Sequence, residues 1–190
     1  MIGNFVNIDS ETIGKLISHP KAYQYANSSL IFNTLQRYME ALILDFRGSA
    51  EYKETHMQQS ISMSPEILGI EDLLKFSPAE FAEKHLTGKS KARFLRRKRL
   101  YIFLIPSNDA VTSLLDFPDK ISESLSAKEQ NGEGQSCPNR RGLLSAYLTY
   151  KALWAERIKE IYIFPHGFKQ LVERYPFLCE YQGAKIYVEP

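Results

Sequence analysis

Apolar positions run along this chain in two rhythms. Leu143, Tyr147, Tyr150 and Trp154 fall at spacings of four, three and four, with Leu144 and Leu148 beside them. That is one wide apolar face of a helix over residues 142–156, suited to lying on a sheet. Ile161, Tyr162, Ile163 and Phe164 show no alternation, as in a strand covered on both faces at 159–164. Residues 100–105, stopped by Pro106, read the same way. A helix over 168–174 follows, broken at Tyr175-Pro176, and Gly183 turns the chain into a last strand at 184–188. Strands alternating with helices predict an α/β fold.

The earlier part of the chain reads as mostly helical. Residues 1–8 alternate loosely as a first strand, and a short helix over 11–18 stops before Pro20. Asn27 or Ser28 caps a longer helix whose stripe runs through Leu30, Ile31, Leu35, Tyr38, Met39, Leu42 and Ile43 to Gly48. Residues 50–63 are polar and read as a loop. Ser64-Pro65 and Ser77-Pro78 each place a cap before a proline at the first helical position, predicting helices over 65–76 and 78–86 with Gly88 as a stop. Residues 109–125 read as helical with a break at Pro118, and 126–138 as a loop. The expectation is one α/β domain with a mixed sheet of about four or five strands flanked by helices. Its first part, 9–99, is a helical subdomain or lid, and its sheet core lies in 100–190.

Composition changes little in this picture. The 190 residues, 44% hydrophobic and 24% charged, suit a single globular core. A net charge of +2 does not by itself imply nucleic acid. The two cysteines, Cys137 and Cys179, are too few for a metal framework, and no histidine pair has ligand spacing, so no metal is expected. No signal peptide opens the sequence and no apolar run matches a membrane span, so no membrane association and a cytoplasmic location are the default.

Two basic features carry candidate chemistry. Asn139, Arg140, Arg141 and Gly142 stand at the predicted start of the 142–156 helix. Cations at the positive end of a helix dipole cost about 0.3–1 kcal/mol each unless an anion docks there. Backbone amides and guanidinium forks suit a phosphate or pyrophosphate. The plain alternative is that both arginines are solvated or pair with Asp116 or Glu133. The second feature is Lys89, Lys91, Arg93, Arg96, Arg97, Lys98 and Arg99, seven cations in eleven residues. On a helix, Lys89, Arg93, Arg96 and Arg97 share one side. A nucleic-acid backbone, an acidic protein surface or the ribose phosphate of coenzyme A is the partner such a field attracts; the alternative is a solvated face balanced by Glu80, Glu83 and the acidic 116–133 region.

The order strand 100–105, loop, helix, strand 159–164, helix, strand resembles the C-terminal half of the GNAT acyltransferase superfamily. The resemblance implies coenzyme A or an acyl-CoA, with its pyrophosphate held by Asn139, Arg140, Arg141 and the amides of Gly142 and Leu143. It implies a gap between strands 100–105 and 159–164 for the pantetheine arm, and acyl transfer to an amine. In those roles His166 serves as base and Tyr175 or Tyr162 as acid. Two other motifs fail on spacing. Thr87-Gly88-Lys89-Ser90 ends like a phosphate-binding loop, but Glu83 stands where its first glycine belongs. Asp45, Glu51 and Lys53 follow the order of metal-dependent nucleases, but too closely to span a hairpin.

Overall fold

The computed structural model describes residues 23–38, 40–64, 77–110, 138–181 and 184–185. The elements in chain order are α1 (Ser28–Tyr38), β1 (Ala41–Asp45), α2 (Ser49–Glu54), β2 (Thr55–Met57), β3 (Ile61–Ser62), α3 (Pro78–His85) and α4 (Gly88–Leu95). There follow β4 (Tyr101–Ile105), α5 (Pro138–Ala155), β5 (Ile161–Ile163), α6 (Phe168–Arg174), β6 (Cys179–Tyr181) and β7 (Ala184–Lys185). The expected strand at 1–8 and the helices at 11–18 and 65–76 lie outside the described residues, as do the helix at 109–125 beyond residue 110, the loop at 126–138 before Pro138 and the last strand at 184–188 beyond Lys185.

Four parallel strands in the order β3-β1-β4-β5 form the main sheet, and β2-β6-β7 form a small antiparallel one. The fold is therefore α/β with both pairing senses flanked by helices, the two senses segregated into separate sheets. β1 sits at the centre because Ala41-Leu42-Ile43-Leu44 is apolar on both sides and every residue of the strand is buried. This corrects the helical reading of Leu42 and Ile43. α1 is capped by Asn27, whose Oδ1 accepts from Leu30 N at 2.8 Å, and it ends at Tyr38. A run with no polar face cannot sit as a surface helix, so it enters the sheet. The sheet thus draws β1 and β3 from residues 9–99, the part expected to form a helical subdomain or lid. Residues 50–63, read as a loop, hold α2, β2 and β3.

Successive β1 residues serve opposite faces. Leu42 and Leu44, with Ile102, Leu104, Ile161 and Ile163, pack under α3, α4 and α5. Ala41 and Ile43, with Phe103, Ile105 and Phe164, pack under α1, α6 and the small sheet. The chain steps from β1 one way to β3 and, from β4, the other way to β5. Crossovers of one hand then fall on opposite faces, which gives three layers.

Candidate functional site

In an open α/β sheet, ligands favour the crevice beyond the strand C-termini where the strand order reverses. Here that point lies between β1 and β4, and protein fills it. Asp45 closes β1 with a fully buried carboxylate, paired to Arg47 Nη2 at 2.7 Å; the side chains are 0% and 1% exposed. Arg47 Nε also reaches both carboxylate oxygens, at 3.0 and 3.1 Å. Nη1 donates to Asn108 Oδ1 at 2.9 Å and Nη2 to Thr55 O at 2.7 Å. The guanidinium carbon lies 3.6 Å from the centre of the Phe168 ring. From the opposite layer, Gly142 presses onto the same point. A Cβ there would stand 2.2 Å from Pro106 O and 2.9 Å from Phe46 O. Its missing side chain therefore lets α5 approach the strand ends.

This placement bears on each residue expected to hold coenzyme A. α5 begins at Pro138, so Asn139, Arg140 and Arg141 lie inside its first turns and not ahead of it; their side chains are outside the described residues. Gly142 is buried against the backbone, and Leu143 belongs to the core beneath α5. β4 and β5 pair in parallel register from Ile102–Ile161 to Leu104–Ile163, and Phe164 N donates to Leu104 O at 2.9 Å. They are joined along their common length, where the resemblance implies a gap.

The three expected acid–base residues do not converge. His166 is exposed in the turn after β5, its ring 5.5 Å from that of Phe164. Tyr175 caps the far end of α6 and stacks on Phe32 at 4.6 Å. Tyr162 donates to Glu160 Oε2 at 2.5 Å, back toward the start of β5. Burial, then the hydrogen bond to and charge of Glu160, push the Tyr162 hydroxyl well above its usual range. Asp45, Glu51 and Lys53 are likewise not on adjacent strands: the first ends β1 and the others belong to α2.

The opposite edge, where the parallel strands begin, gathers charge. The seven-cation run divides there. α4 stops at Leu95, and Arg97 turns inward in a 3-10 turn, Arg97–Arg99, that follows Phe94 into the core. Arg97 Nε and Nη2 grip Glu156 Oε1 and Oε2 at 2.9 and 2.6 Å, and Nη1 reaches Phe94 O at 3.3 Å. Arg97 therefore does not share an open face with Lys89 and Arg93, as a continuous helix would have it. Lys91 pairs with Glu83 at 3.0 Å, and Arg93 holds Gln59 through both its backbone oxygen and its side chain. Burial and the neighbouring Arg96 lower the affinity of the Arg93 guanidinium for its proton. Lys89 is exposed on the first turn of α4, at the other end of that helix from Arg96.

Arg96, Lys98 and Arg99 remain exposed, with no carboxylate among the described residues paired to them. The Arg97–Glu156 fork clamps their loop to the one before β5, which exposes Arg157 and Lys159. Ile102 N donates to Glu160 O at 2.8 Å, so the two loops enter adjacent strands. Five cations from two loops thus line one edge. Glu40 and Glu160 share that edge, and Glu160 is engaged by Tyr162. Arg157 and Lys159 were not singled out in the sequence. The signal was there, in the alternation Arg157-Ile158-Lys159 around a buried isoleucine.

No family model matches the chain, and no curated protein sequence matches it significantly. Among the described residues, no helix is long and apolar enough to cross a membrane.

Proposed function

We propose that this protein binds nucleic acid by its phosphate backbone, across the edge of the sheet where β4 and β5 begin. The observation that supports this is the cluster Arg96, Lys98, Arg99, Arg157 and Lys159, held together by the Arg97–Glu156 fork. Exposed cations repel one another, and isolated surface charges contribute little to stability. Two loops that each present cations, tied side by side by a largely buried ion pair, form a polyanion-binding surface that does not depend on its own flexibility.

The edge carries flexible ammonium groups and guanidinium forks, which reach backbone phosphates in any sequence. The test is fluorescence anisotropy with a labelled oligonucleotide over a salt series. Five phosphate contacts on a single strand predict a slope of log affinity against log salt of about −3.5, or roughly a 100-fold loss between about 50 and 200 mM salt. Lys98→Glu with Arg99→Glu should cost at least about tenfold and flatten the slope by one to two. Affinity indifferent to salt or to charge reversal would overturn the proposal. So would equal affinity for polyglutamate, which would assign the edge to an acidic protein surface.

A further inference from the structure

Beside the charged edge stands the chain's one tryptophan. Trp154 occupies the last turn of α5 and is 45% exposed, although its spacing with Leu143, Tyr147 and Tyr150 predicts a core position. The neighbouring Leu153 takes the buried place. One face of the indole stacks on Tyr150, with ring centres 6.2 Å apart and planes 14° from parallel. Tyr150 is itself buried and accepts a hydrogen bond from Gln24 N at 3.0 Å; Gln24 Nε2 in turn donates to Lys159 O at 2.6 Å. The ring is thus backed by a second ring and tied to the loop that carries two of the five cations. Tyr25, 41% exposed, continues the aromatic row through its hydroxyl contact with Tyr147 at 3.1 Å.

Arg157 follows Trp154 at a strained position. Arg157 N donates to Trp154 O at 2.9 Å and Ile158 N to Leu153 O at 3.4 Å, the bond pair that ends a helix on a left-handed residue. Glycine is usual there, yet the residue is arginine with φ 66°. A left-handed non-glycine costs about 1–3 kcal/mol and persists where something over-determines it.

We infer that the nucleic acid bound at this edge is single-stranded, with Trp154 as the surface on which a base stacks while Arg157 and Lys159 take the flanking phosphates. This rests on the phosphate-binding reading above. Charge alone favours any polyanion. An exposed, rigidly backed indole at the rim adds a contact that only unstacked bases can make, since duplex bases are occupied by one another.

Because Trp154 is the sole tryptophan, its own emission reports the contact. The protein is titrated at low salt with oligothymidine and with a duplex of equal length. The expected result is saturable quenching by the single strand and little by the duplex. Trp154→Ala should lose about tenfold in single-strand affinity with duplex affinity and salt slope unmoved, and Trp154→Phe should recover part of the loss. Arg157→Gly should melt no lower than the parent, since it relieves the backbone, yet bind the single strand severalfold more weakly. Equal affinity for both forms together with an unchanged Trp154→Ala variant overturns this inference and leaves phosphate binding standing. No binding of either form overturns both.

Discussion

Arg47→Ala isolates the cost of the pair that fills the crevice. The substitution removes the cation from the buried Asp45 carboxylate and leaves it, among the described residues, the backbone N–H of residue 47 at 3.0 Å. It also strips a donor from Asn108 and from Thr55 O, and the cationic partner from the Phe168 ring. Removing one member of a buried ion pair costs about 3–5 kcal/mol, most of it the stranded charge and not the lost attraction. At about 2–4 °C per kcal/mol for a domain of this size, the melting temperature should fall by about 6–20 °C. The diagnostic variant is Asp45→Ala with Arg47→Ala, which removes the charge along with its partner. In urea unfolding it should be more stable than Arg47→Ala alone by at least about 1 kcal/mol, despite lacking one more side chain. A double variant less stable than the single one, or a single-variant loss below about 1 kcal/mol, would refute the stranded-charge account.

Gly142→Ala sets two effects against each other: alanine gains about 1 kcal/mol of helix propensity over glycine. A Cβ 2.2 Å from Pro106 O meets backbone that cannot swing aside, and overpacking costs about 1–3 kcal/mol or more. The variant should melt lower than the parent, and a higher melting temperature would show that α5 does not press on β4 as described. Glu51 tests the sign of a carboxylate whose pKa burial raises above 4.5, with Asp45 and Asp109 adding to the shift and Arg47 and Lys169 opposing it. Such a group costs stability above its folded pKa and nothing below its unfolded one, so Glu51→Gln should melt higher than the parent near about pH 8, with the difference vanishing toward about pH 4. A gap that widens on acidification would contradict the raised pKa. Coenzyme A or acetyl-CoA at millimolar concentration should leave the melting temperature unchanged, because β4 and β5 are hydrogen-bonded where the pantetheine arm would pass. A rise of several degrees would favour the acyltransferase reading instead.

Elements whose burial is uniform or strictly one-sided were legible from the chain alone. Residues 101–105 and 161–163 are strands because nothing polar interrupts them, and Ser77-Pro78 opens α3 where its cap chemistry places it. β1 escapes the sequence reading because Tyr38 and Leu42 continue the helical spacing of α1; only pairing with β3 and β4 makes it a strand, with Leu42 and Ile43 in opposite layers. β2 and β6 are three residues each, and their mixed burial carries no period. The site was half visible. A run of basic residues is plain in sequence, but which cations stay free depends on partners far along the chain. Glu156 lies 59 residues from Arg97, and that one contact both removes Arg97 from the surface and brings Arg157 and Lys159 beside Lys98 and Arg99.

The direction of α5 has a further consequence. It descends from the filled crevice and ends at Ala155, so its carbonyl end points toward the cationic loops. A phosphate bound there, as proposed, would meet the negative pole of the helix, the reverse of the amide-lined cradles that bind nucleotides at strand C-termini. Attraction must then come from side chains alone, reaching past an unfavourable backbone field. On the proposed reading, such a surface would grip many strands weakly and release them readily as ions accumulate, which would suit a protein that travels along its ligand more than one that stays at a single address.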